Sequence, residues 1–200
     1  MTIEDFVKQR TCLEEKHQNS SVKLGWDYTD VLYSFLGVYV IGLRVYYPEY
    51  FIAKGITIRP INDNKQNAYS KKFFKKHFAN YNELNEKISN SGFLDKYSSL
   101  GNITPIWPGG NTHKGQSKCF DIPDLYFKKS RVRKCAEAFF SIKNLNCFLE
   151  LIFEGKYYLE KETSDFMKFT KEEYGEFLKH IVLIIEYREK KLQEILNSIN

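Results

Sequence analysis

Residues 109–118, Gly-Gly-Asn-Thr-His-Lys-Gly-Gln-Ser-Lys, gather several side chains capable of chemistry. His113 is the leading acid–base candidate, because an imidazole changes charge near neutral pH. Asp121 and Asp124 are the carboxylates nearest to it in sequence. With Lys114 alongside, they define an enzyme reading in which His113 and one aspartate exchange protons with a substrate. Ser117 and Cys119 are candidate nucleophiles. A different chemistry uses the same loop as a cradle. Gly109 and Gly110 would let backbone amides turn toward an anion, with Asn111 and Lys114 adding a polar contact and a charge. The spacing is not that of a P-loop, and the chain has no Gly-x-Gly-x-x-Gly, so neither familiar nucleotide motif applies. A third reading is structural: Asn102 and Asn111 stitch the loop to its own backbone, and Asp124, just after Pro123, caps a helix.

Five basic residues follow within a short span: Lys128, Lys129, Arg131, Arg133 and Lys134. On a helix, positions three or four apart share a face. Lys128, Arg131 and Lys134 would then form one row, with Lys129 and Arg133 in a second. Beside the loop amides, such rows suit phosphates, which makes nucleic acid or a nucleotide the expected partner. The competing expectation is that the acidic side chains of the last two helices pair with these cations. Residues 71–78, Lys-Lys-Phe-Phe-Lys-Lys-His-Phe, repeat the choice between a solvated helical turn and a basic–aromatic patch for nucleic acid.

The stretch holding this chemistry, 97–127, contains Pro105, Pro108 and Pro123, Gly101, Gly109, Gly110 and Gly115, and Trp107. Proline and paired glycine forbid a long helix here, so it reads as a long ordered loop. Its pattern resembles a group of uncharacterised bacterial proteins sharing Tyr-x-x-(Leu/Ile)-Gly-Asn, an apolar run ending in Pro, then Asn, a basic residue and Gly, and an Asp-containing entry to a helix. Tyr97, Gly101, Asn102, Pro105, Asn111, Lys114, Gly115 and Asp121 carry the resemblance, and residues 173–192 are similar to that group's last helix. Where the group usually has Arg, this chain has Lys114, which lacks the planar two-pronged fork. The resemblance covers the second half of the chain. It implies a bacterial or phage accessory protein, with a role in defence as one option, and brings no reaction with it. Residues 100–104 with Asn111 are also similar to the region after the catalytic histidine of one class of HNH nucleases, but no upstream His pair precedes them, so the metal chemistry is missing. Residues 113–117 are similar to the Phe-Arg-Gly-Gln-Ser core of a bacterial domain thought to be like ADP-ribosyltransferases, without its aromatic residue and Arg.

Composition narrows the class. The chain has 200 residues, 42% hydrophobic and 16% aromatic, with a net charge of +5. That is ample for a folded core and permits an anionic partner without requiring one. Cys12, Cys119, Cys135 and Cys147 form no Cys-x-x-Cys pair and no zinc pattern with His17, His77, His113 or His180. No metal or cofactor site is expected, and all four thiols are expected to be free. The N-terminal sequence is acidic and amphipathic and does not read as a secretory signal, so a cytoplasmic location is expected. The apolar run 31–43 is too short for a bilayer, so no membrane partner is expected. A protein-interaction role stays open.

These residues must be positioned by a mostly helical scaffold. Residues 2–17 read as a helix. Residues 27–47 read as a buried helix capped by Asp27 or Thr29, with a strand pair as the alternative. Residues 56–59 read as a short strand, 80–89 as a polar helix with Leu84 and Ile88 inward, and 103–107 as a short strand. Residues 139–153 read as a buried helix ending at Gly155. The last helix opens with a Thr170–Glu173 capping box and carries Tyr174, Phe177, Leu178, Ile181, Ile184, Ile185, Leu192, Ile195 and Leu196 on one face. The expectation is α+β: a mostly helical single domain spanning 1–200, with a small sheet or strand pair and a long ordered Gly/Pro loop.

Overall fold

In a computed structural model of the chain, the structure describes residues 4, 29–48, 81–107, 110, 122–153, 161, 163–166 and 168–199. In chain order its elements are β1 (Thr29–Val31), α1 (Phe35–Tyr46), α2 (Asn82–Asn90), α3 (Phe93–Lys96), a 3-10 turn (Leu100–Asn102), β2 (Ile103–Pro105), α4 (Pro123–Tyr126), α5 (Ser130–Phe140), α6 (Ile142–Phe153), α7 (Thr163–Phe166) and α8 (Lys171–Ile199). The described residues are mostly helical. β1 and β2 pair antiparallel, with Thr29 opposite Pro105, Asp30 opposite Thr104 and Val31 opposite Ile103. Apart from Glu4, which is helical, the helix expected at 2–17 lies outside the described residues, as do the strand expected at 56–59, the basic–aromatic run 71–78 and the Gly155 stop.

α8 is the spine. Its capping box closes in both directions: the Thr170 amide donates to Glu173 Oε2 at 2.8 Å, and the Glu173 amide donates to Thr170 Oγ1 at 3.1 Å. Two of the four orphan amides of the first turn gain partners this way. From there Tyr174, Phe177, Leu178, Ile181, Ile184, Ile185 and Leu192 are buried, while Ile195 and Leu196 are half-buried. The stripe packs against α1, α3, α6 and the 3-10 turn.

Two expectations about helix ends need correction. The segment 27–47 is not one helix capped by Asp27 or Thr29. Residues 29–31 are a strand, the chain turns at Leu32 and Tyr33, and Ser34 caps α1 by accepting from the Gly37 amide at 2.9 Å. Three residues are spent in pairing with β2, a partner more than seventy positions away, which local propensity cannot reveal. Residues 139–153 are likewise not continuous. Ser141 has φ 66°, a left-handed conformation that closes α5 after Phe140 and restarts the chain as α6. The break lets Phe140 and Phe148 stack with ring centroids 5.6 Å apart.

Aromatic rings fill much of the interior. Phe35, Phe93 and Tyr97 form one cluster, and Trp107, Phe127 and Phe148 another. Gly42 lets α1 close on Leu84 and on the Tyr174 ring, since a Cβ there would overlap both. No described helix is long and apolar enough to cross a membrane.

Candidate functional site

The residues proposed from sequence divide into three sets. His113, Asp121, Gly109, Asn111 and Lys114 lie outside the described residues. Gly110 and Asp124 are buried, and Lys128, Arg131 and Lys134 are exposed. Gly110 does not aim its amide at a ligand: the N–H donates to the Trp107 carbonyl at 2.8 Å.

Asp124 is neither a surface acid nor a helix cap. It lies on α4, whose first turn has no side-chain cap, and it is 2% exposed. One carboxylate oxygen accepts from the Tyr33 hydroxyl at 3.0 Å. Burial disfavours the charged carboxylate and pushes its pKa up to about 6. The Tyr33 bond, a hydrogen bond from Asp124's own backbone amide and the charge of Lys128 pull the other way. Tyr33 is itself held well above the usual tyrosine range, first by burial and then by the neighbouring carboxylate. The buried Asp124 carboxyl therefore takes up a proton as pH falls through about 6, while Tyr33 keeps its own.

Tyr33 is fixed from its backbone as well. Its amide donates to Asn102 Oδ1 at 2.9 Å, and Asn102 Nδ2 donates to the Tyr33 carbonyl at 3.3 Å and to the Tyr97 carbonyl at 2.8 Å. Asn102 thus stitches the loop to itself through Tyr97, as its residue type suggests, and also binds it to the β1–α1 corner. The Leu32 amide donates to the Asn102 carbonyl.

Arg188 of α8 completes the polar cluster and had no place in the sequence reading. It is fully buried. Its Nη1 donates to the Gly101 carbonyl and, at 2.9 Å, to the Ile103 carbonyl, and the Phe148 ring centroid lies 5.3 Å from its guanidinium carbon. Burial lowers its pKa to about 10, against the raising influence of Tyr126 and Tyr33. Gly101 permits this contact: a Cβ there would run into the Ile185 carbonyl of α8. The signal was present in the sequence, since Arg188 falls between Ile185 and Leu192 on the apolar stripe, where a charged residue is out of pattern.

The basic run is also rearranged. Lys128 and Lys129 precede α5, with Lys129 as its N-cap, so only Arg131, Arg133 and Lys134 are on the helix and the expected three-residue row is broken. The Lys128 ammonium donates to the Lys161 carbonyl. Arg133 pairs with Glu137 at 3.1 Å on the same helix. The α8 acids expected to neutralise the run are engaged elsewhere: Glu186 and Glu189 with Lys96, each at 3.5 Å, and Glu176 and Glu194 with Lys179 and Lys191. Among the described residues, Arg131 and Lys134 make no ion pair. The N-terminal turn of α5 has no capping side chain and no acidic residue.

No group of His, Cys, Asp and Glu among the described residues is arranged to hold a metal ion. Comparison with protein-family profiles, with curated proteins and with solved structures finds no match to this chain.

Proposed function

We propose that this protein binds an anionic partner, nucleic acid or a nucleotide, through the 97–134 region, with the start of α5 as the contact surface. The observation that carries this reading is the state of that corner. Arg131 and Lys134 are exposed and without carboxylate partners among the described residues, beside a helix start whose positive dipole end lacks any capping side chain. Backbone amides and the dipole at such a start favour negative charge, and the two side chains add mobile charge where phosphates would lie. Asp124 contributes indirectly: it anchors α4, immediately before this corner, to Tyr33.

The test is direct binding of short single-stranded DNA, RNA and free nucleotides by fluorescence anisotropy. The wild type should bind at low salt. If about three phosphates of a single strand are neutralised, affinity should fall about 20-fold between about 50 and 200 mM salt. Reversing Arg131→Glu together with Lys134→Glu should abolish the interaction while leaving the fold intact. No binding at low salt, or binding indifferent to the double reversal, would overturn the reading.

A further inference from the structure

We infer that Arg188 presents a buried recognition edge for a small oxyanion, a carboxylate or phosphate group, where the 3-10 turn, β2 and α8 meet. A guanidinium carries five N–H donors in a fixed fork. Those of Nη1 are directed to Gly101 and Ile103. Nε and Nη2 are buried and, among the described residues, have no hydrogen-bond partner. These two nitrogens lie on one edge of the plane and project parallel N–H bonds. That is the edge whose spacing matches two oxygens of a carboxylate or phosphate. One face of the guanidinium is covered by Phe148.

The charge balance points the same way. Among the described residues no ion pair joins Arg188 to a carboxylate, and the buried Asp124 carboxyl accepts from Tyr33. A guanidinium taken out of water without a counter-charge is costly, and so is each donor left unpaired. An oxyanion on the open edge would offset both. Tyr33 and Tyr126 sit close enough to bias the guanidinium's ionisation. Because Arg188 is fully covered, entry requires a local opening of the packing around it, so exchange should be slow. This site is separate from the exposed α5 corner and does not depend on its function.

The experiment uses the full chain with inorganic phosphate or acetate, each exchanged for chloride at constant ionic strength. Two quantities are read: the thermal midpoint, which rises when a ligand binds the native state alone, and the 15N-resolved Nε–H resonance of Arg188. The expected result is a saturable rise of several degrees and a shifted resonance. The rise should be retained in the Arg131→Glu/Lys134→Glu variant and lost in Arg188→Lys, which keeps the charge but not the fork. A response to phosphate alone would assign a phosphate group, and a response to both would assign the shared two-oxygen edge. Absence of a saturable rise together with an unmoved resonance would overturn the inference and leave ordered water as the partner. A rise that persists in Arg188→Lys, or disappears with the surface reversal, would also overturn it. Should Arg188→Lys fail to fold, the wild-type resonance decides alone.

Discussion

Asp124 and Asn102 show what single residues contribute. Asp124 has a native pKa of about 6, against an ordinary value of 3.8. Between those two values the native state keeps a proton that the unfolded chain releases. Its contribution is therefore full below about pH 4 and is lost as pH rises toward 6, a difference of about 3 kcal/mol for about two units. Urea melts across that window should show the decline, and Asp124→Asn, which can still accept from Tyr33, should flatten it. Asn102→Ala removes one acceptor and two donations and leaves the buried Tyr33 amide unpaired. It should cost about 2–4 kcal/mol by chemical denaturation. The stitching of the loop by Asn102 was legible from its residue type, but its hold on Tyr33 and the role of Asp124 were not. Asp124 reads as a cap because proline precedes it, and only the fold reveals that it faces a tyrosine ninety-one positions earlier.

At the scale of elements, legibility follows the range of the interactions. α8 could be read from its capping box and its stripe, both of which are local. Ile181→Ala should cost about 2–5 kcal/mol, since Ile181 is fully buried on the stripe. Leu183→Ala should stay within about 0.5 kcal/mol, because that side chain is 52% exposed. Thermal or urea unfolding of the two variants measures the contrast, and equal effects would mean that α8 is rotated about its axis. The α5–α6 break escaped notice because Ser141 is not a residue type that announces a left-handed turn. β2 falls within the short strand expected at 103–107, whereas β1 was absorbed into the expected helix 27–47 because three residues are too few for alternation to register.

For the molecule as a whole, charge total and charge placement separate. The net +5 is modest, and among the described residues Lys96, Lys171, Lys179 and Lys191 pair with glutamates. Among the described residues, Arg131 and Lys134 at the start of α5 are exposed and make no ion pair, which is why binding is sought there. The cysteines offer a test at the same scale. Cys135 and Cys147 are free thiols on α5 and α6, and Cys12 and Cys119 lie outside the described residues. Titration of the unfolded, unreduced protein should give four thiols, and fewer would reveal a disulfide that the spacing does not suggest. The sequence carried the helical class and the location of the basic run. It could not show which cations would be spent on internal partners, because that depends on contacts between elements far apart in the chain.

The bond from Arg188 to Gly101 also sets a schedule. Its partners are 87 residues apart. At a synthesis rate of about 5–20 residues per second, the glycine carbonyl leaves the ribosome about 4–17 s before the arginine that will hold it. Tyr33 and Tyr97 are already made when Asn102 emerges. The nascent chain can therefore set one fastening of the turn early, while the other must wait for the C-terminal helix.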